Sequence, residues 1–120
     1  MFERKIFQAM LRWKEHYAPN YALFLKGARR VGKTTLAEKL GREAYASYIL
    51  VRFDNADASI KDLFINGLRD LDTFFVQLQL QYRTRLFERK SLIILDEIQL
   101  FPQARQALKT LLEDGRYDYL

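Results

Sequence analysis

Gly27-Ala28-Arg29-Arg30-Val31-Gly32-Lys33-Thr34 is the stretch from which the rest of the chain can be read. It fits G-x-x-x-x-G-K-[ST], the pattern of a loop that cradles phosphate. Gly27 and Gly32 allow a tight turn in which backbone N–H groups converge on one anion, with no side chain blocking its approach. Lys33 brings a point positive charge to the β and γ phosphates. The Thr34 hydroxyl suits Mg²⁺, an ion that takes few protein ligands beside phosphate and water. Thr34 and Thr35 also open a helix, and the free N–H groups and dipole of a helix N-terminus attract anions. The candidate nucleotide-binding residues are therefore Gly27, Ala28, Arg29, Arg30, Val31, Gly32, Lys33, Thr34 and Thr35.

Such a loop has to follow a buried strand and precede a helix. Tyr21-Ala-Leu-Phe-Leu25 is a continuous apolar run of strand length, while Leu36, Ala37 and Leu40 recur at helical spacing. The expected helix runs from about residue 33 to 40. Gly41 is a plausible stop, although residues 42–45 could continue it. Motif and context together point to a nucleotide site with Mg²⁺, and the residues themselves do not choose between ATP and GTP.

Ser91-Leu-Ile-Ile-Leu-Asp-Glu97 carries the second chemical signal. Four apolar residues ending in an acid form a buried strand that delivers a carboxylate to the carboxyl edge of a sheet. Asp96 can hold the Mg²⁺ through its water shell, and Glu97 can polarise the water that attacks the γ-phosphate. Thr34 and Asp96 are thus the candidate metal residues, with Lys33 and Glu97 the candidate catalytic ones.

The remaining segments read as packing around these two. Phe2, Ile6, Met10, Trp13 and Tyr17 mark the buried face of an amphipathic helix over 2–17. Tyr48-Ile-Leu-Val-Arg-Phe53 is a second buried strand, with Asp54-Asn-Ala-Asp57 as the turn at its carboxyl end. Asp54 can act there as a turn and capping residue, or stand behind the site in support. A short helix is expected over 59–66. Phe75-Val-Gln-Leu-Gln-Leu-Gln-Tyr82 alternates like a strand, but Leu71, Phe75, Leu78 and Tyr82 share one helical face. Leucine and glutamine favour helix, and Asp70 or Asp72 can cap it, so a helix is expected. Pro102 starts a last helix that buries Ala104, Ala107 or Leu108, and Leu111, and ends at Asp114-Gly115. Tyr117-Asp-Tyr-Leu120 begins a fourth strand.

A chain of 120 residues allows one domain at most, and 49% hydrophobic with 29% charged residues is ordinary for a globular fold. With no cysteine there is neither a disulfide nor a thiolate metal site, and His16 alone cannot build a zinc site. No apolar run approaches a membrane span and no signal-peptide core opens the chain, which makes a cytoplasmic protein the default. The net charge of +5 would suit nucleic acid, but a phosphate-binding domain has its own reason to be basic. The arginines are also spread along the chain, so a nucleic-acid partner is possible but unsupported.

Gly-Ala-Arg-Arg-Val-Gly-Lys-Thr-Thr at 27–35 and Leu-Asp-Glu-Ile-Gln at 95–99 resemble a family of prokaryotic AAA-type P-loop ATP-binding proteins. Trp-Lys in the first helix, Ile-Lys-Asp-Leu-Phe at 60–64 and Tyr-Asp-Tyr-Leu at 117–120 extend the resemblance over the whole chain. It implies an α/β three-layer sandwich with a parallel sheet, in which a further strand lies between the phosphate-loop strand and the acidic one. It also implies Lys33 and Thr34 as nucleotide and Mg²⁺ residues, with Asp96 and Glu97 as the acidic pair. Arg29, Arg30 and Gln99 match the signature without bringing a role. Family members are longer, with an ATPase domain followed by a C-terminal domain of unknown function. By that comparison residues 1–120 are a partial domain, cut within the fourth strand ahead of the sensor residue and any arginine finger. The function expected is ATP binding with Mg²⁺-dependent hydrolysis that drives a conformational change in a larger protein. The alternative is a nucleotide-binding switch or interaction module without useful turnover.

Overall fold

A computed structural model describes residues 2–18, 20–23 and 31–120, with Phe2, Glu3, Val31 and Gly32 described by backbone alone. Along the chain come α1 (Phe2–His16), α2 (Val31–Ala44), β1 (Ser47–Arg52), α3 (Ala58–Asn66), α4 (Leu71–Tyr82), β2 (Ser91–Asp96), α5 (Pro102–Asp114) and β3 (Asp118–Tyr119). The three strands form a parallel sheet in the order β1-β2-β3.

Strand alternation splits the core into two layers, because successive side chains point to opposite faces. On one face Leu92 and Ile94 pack with Leu36, Ala37 and Leu40 of α2 and with Met10 and Trp13 of α1. On the other, Ile49, Val51, Ile93 and Leu95 meet α3, α4 and α5. Helices thus cover both sides of the sheet, and the fold is an α/β three-layer sandwich. Ser91 to Leu95 is buried throughout, as expected of a central parallel strand. β1 lies at the margin of the described sheet, with Ile49 and Val51 buried, Ser47, Tyr48 and Leu50 half-buried and Arg52 exposed.

The second layer is organised by aromatic rings. Phe53, Phe64, Phe74, Phe75 and Tyr117 meet edge to face in succession, with centroids 5.3, 5.2, 5.1 and 4.8 Å apart. Each contact of this kind adds about 0.5–1.5 kcal/mol beyond the area it buries. The series ties β1 to α3, α4 and the approach to β3.

Residues 71–82 are helical, and their ends show why. The Asp70 carboxylate accepts from the Thr73 N–H (3.2 Å) and hydroxyl (2.8 Å), while Arg83 closes the helix in the left-handed region (φ 51°). The Asp70 carboxyl is held below its ordinary range chiefly by the Thr73 hydroxyl and amide.

Several expectations are adjusted by the structure. Helix α1 ends at His16, so Tyr17 lies in a turn and is exposed rather than part of the buried face. Helix α2 runs through Gly41 to Ala44. A Cβ at Gly41 would lie 2.6 Å from the Tyr48 ring, so this glycine permits close approach of α2 to β1 instead of stopping the helix. Tyr21–Leu23 is not strand, and residues 24–25 of the expected first strand lie outside the described residues. Even so, the Leu23 N–H donates to the Tyr119 carbonyl (3.1 Å), and the Leu120 N–H donates to that of Ile93 (3.0 Å). The segment 119–120 therefore bonds to Leu23 on one side and to β2 on the other.

Candidate functional site

The alternation that buries β2 also aims its last residue. Leu92 and Ile94 face α2, so Asp96, two residues on, faces α2 as well. The start of α2 supplies Thr34, whose hydroxyl donates to Asp96 Oδ2 at 3.4 Å, long for an O–H···O bond. Lys33, Thr34, Asp96, Glu97 and Gln99 line one cleft, together with Leu23 and the terminal Leu120. Two segments more than sixty residues apart are thereby brought together at the carboxyl edge of the sheet. Thr35, by contrast, is exposed. Gly27, Ala28, Arg29 and Arg30 lie outside the described residues, and Val31 and Gly32 form the first turn of α2 in backbone only.

Glu97 leaves the strand in the left-handed region (φ 59°, ψ 38°), uncommon for a residue with a side chain. Its Oε1 accepts from Gln99 Nε2 at 2.5 Å.

Arg52 belongs to the site although its sequence context did not single it out. In the parallel ladder Arg52 stands directly opposite Asp96, so both side chains lie on the same face. Its Nε is 3.8 Å from Asp96 Oδ2 and its Nη2 is 3.5 Å from Asp54 Oδ2. Asp54 is thus in the turn after β1 and linked to Asp96 through Arg52, while the following helix is capped at Asp57. The signal was the strand register, which a single chain does not display.

The Asp96 carboxyl titrates above its ordinary range. Burial is the main cause, the neighbouring Glu97 adds to it, and Arg52 and the Thr34 hydroxyl oppose it. Among the described residues no three His, Cys, Asp or Glu side chains gather into a metal cage. A hydroxyl and a carboxylate side by side are nonetheless the hard oxygen donors that Mg²⁺ takes when phosphate and water fill its other positions. The donor set at Thr34 and Asp96 fits that ion. No described helix is long and apolar enough to cross a membrane.

No curated protein and no solved structure was found to match the chain. A family model described as an AAA domain matches residues 19–120, which takes in the phosphate-loop motif, the acidic strand and the whole sheet, and the chain belongs to that family.

Proposed function

We propose that the protein binds ATP with Mg²⁺ in the cleft between α2 and the end of β2 and hydrolyses it, driving a conformational change in a larger protein. The observation that carries this reading is the Thr34–Asp96 contact at 3.4 Å, which joins the phosphate-loop motif to the acidic strand. In this reading the amides of residues 27–32 and the N-terminus of α2 receive the phosphates, and Lys33 sets its charge against the β and γ groups. Thr34 and Asp96 would hold the Mg²⁺. When bound, that ion neutralises charge on the phosphate oxygens. Glu97 orients the attacking water and accepts its proton. A nucleic-acid partner finds no added support, and the protein partner remains a class, a larger assembly or a further domain. ATP and Mg²⁺ occur together in the cytoplasm, which is the setting this reading takes.

One observation favours a second reading, a nucleotide-dependent switch without useful turnover. The Gln99 amide donates to Glu97 Oε1 at 2.5 Å, so this oxygen is already engaged and less open to a water. Product formation measured beside binding separates the two.

Calorimetric titration of ATP–Mg²⁺ into the protein and into Lys33→Ala tests the shared part. A lost charge-assisted hydrogen bond is worth about 1.5–3 kcal/mol, so Lys33→Ala should bind at least about tenfold more weakly. Equal affinities would remove the phosphate loop from the account.

A further inference from the structure

The carboxylate oxygen that accepts from Thr34, Asp96 Oδ2, is also the one that faces the Arg52 guanidinium. At 3.8 Å the Nε–Oδ2 contact is an ion pair and not a hydrogen bond, so it holds its partner by charge alone. The other end of the guanidinium lies 3.5 Å from Asp54. The Arg52 side chain is 51% exposed, which leaves it room to move. Arginine stays charged at any working pH, so this positive charge is a fixed feature of the site. It has little structural reason to be there. Arg52 ends its strand at the surface and belongs to neither core layer, and water would solvate it as well.

We propose that Arg52 is the resident counter-ion of Asp96, a positioning residue whose charge competes with the hydrated Mg²⁺ for that carboxylate and whose guanidinium turns further toward Asp54 when the cation is taken up. The inference rests on the nucleotide reading above and adds to it what sets the metal requirement. Two cations beside one carboxylate repel each other, so uptake of one weakens the hold of the other. Asp54 gives the displaced guanidinium a second carboxylate within reach, so the exchange does not strand a charge. The two acids and the arginine then form a relay in which the metal requirement depends on how strongly Arg52 is drawn to each side.

The test is nucleotide binding by the full chain, followed calorimetrically over a series of Mg²⁺ concentrations and again with EDTA. For Arg52→Gln the Mg²⁺ midpoint should fall by about two- to fivefold, the upper range of a partly exposed ion pair. Arg52→Lys keeps the charge and should stay within about twofold of the wild type. Asp54→Asn should raise the midpoint by about two- to threefold, and this effect should shrink once Arg52 is also Gln, because it acts through the arginine. Metal-free ATP affinity should change less than about threefold in Arg52→Gln, since the side chain is assigned to the acid and not to phosphate.

An unchanged or raised midpoint in Arg52→Gln would overturn the proposal. So would a larger loss of metal-free affinity, which would make Arg52 a phosphate ligand. Failure of the wild type to bind nucleotide would overturn the site itself. Normal wild-type binding with an unaltered Arg52→Gln midpoint would overturn only the role of Arg52.

Discussion

Two aspartates on neighbouring strands, Asp96 at the end of β2 and Asp118 at the start of β3, receive opposite treatment. Asp118 is almost fully buried and well held. The Tyr45 hydroxyl donates to its Oδ2 at 2.5 Å, the Arg89 guanidinium bonds Oδ1, and Arg89 also reaches the Gly115 carbonyl at 2.9 Å. Asp96 is only partly buried, its neighbours stand at 3.4 and 3.8 Å, and its environment raises its pKa. Burial of a charge is tolerated when hydrogen bonds and a counter-charge meet it closely. The first acid has these and serves to hold Tyr45 at the end of α2, β3 and the segment before β2 together. The second is left under-satisfied at a cleft, as expected of an acid kept available for a ligand.

The largest expected effect concerns the acid next to Asp96. If Glu97 orients water, Glu97→Gln should keep nucleotide while turnover falls by about 10²–10⁴, the usual span for a general base. Single-turnover phosphate release beside a binding titration reads both. Unchanged turnover would take Glu97 out of the chemistry and favour the switch reading.

Next in size is the break on the Asp118 side. Arg89→Ala removes the counter-charge of a buried carboxylate and should cost about 3 kcal/mol in urea unfolding, near the low end for such breaks because the guanidinium is partly exposed. A cost under about 1 kcal/mol would put this pair in the class of surface ion pairs and dissolve the contrast with Asp96.

Smaller again is Tyr45→Phe, which loses one hydrogen bond to a charged group, about 1.5–3 kcal/mol. It also carries a pH signature. Burial, and then the hydrogen bond to Asp118, raise the Tyr45 pKa above its ordinary value. The folded state therefore keeps this proton at pH values where the unfolded chain releases it. Its contribution is fully present below about pH 10, the unfolded tyrosine range, and is lost as pH rises beyond it. Tyr82, Tyr117 and Tyr119 are shifted the same way, chiefly by burial. Stability should thus fall above about pH 10 in the wild type and fall less steeply in Tyr45→Phe. Parallel pH profiles would contradict this assignment.

How much of this was legible beforehand follows from what each feature depends on. The motif at 27–34 and the acid after the apolar run at 92–95 are local patterns, and so are the helix after the first and the strand that carries the second. The helix at 71–82 was legible because its cap, Asp70, is adjacent in sequence, even though its Gln-Leu alternation imitates a strand. Arg52 was not legible, since its relation to Asp96 exists only through the β1–β2 register. Asp118 looked like any acid in a short strand, because its partners Tyr45 and Arg89 are distant in sequence. Gly41 could stop the helix or be run through, and the close approach of the Tyr48 ring that gives this glycine its reason is not a local pattern. Tyr17 continued the helical spacing one step past the end of the helix, where spacing carries no information.

Asp96 is where the account is most exposed. Its contacts are weak, so Asp96→Asn should unfold within about 1 kcal/mol of the wild type. The decisive measurement is the Mg²⁺ midpoint for ATP binding in Asp96→Asn, taken beside the wild type and Tyr45→Phe. A carboxylate reserved for the ion predicts a rise of at least about tenfold in Asp96→Asn, the equivalent of one charge-assisted contact, and no change in Tyr45→Phe. A stable Asp96→Asn protein with the wild-type midpoint would contradict the account.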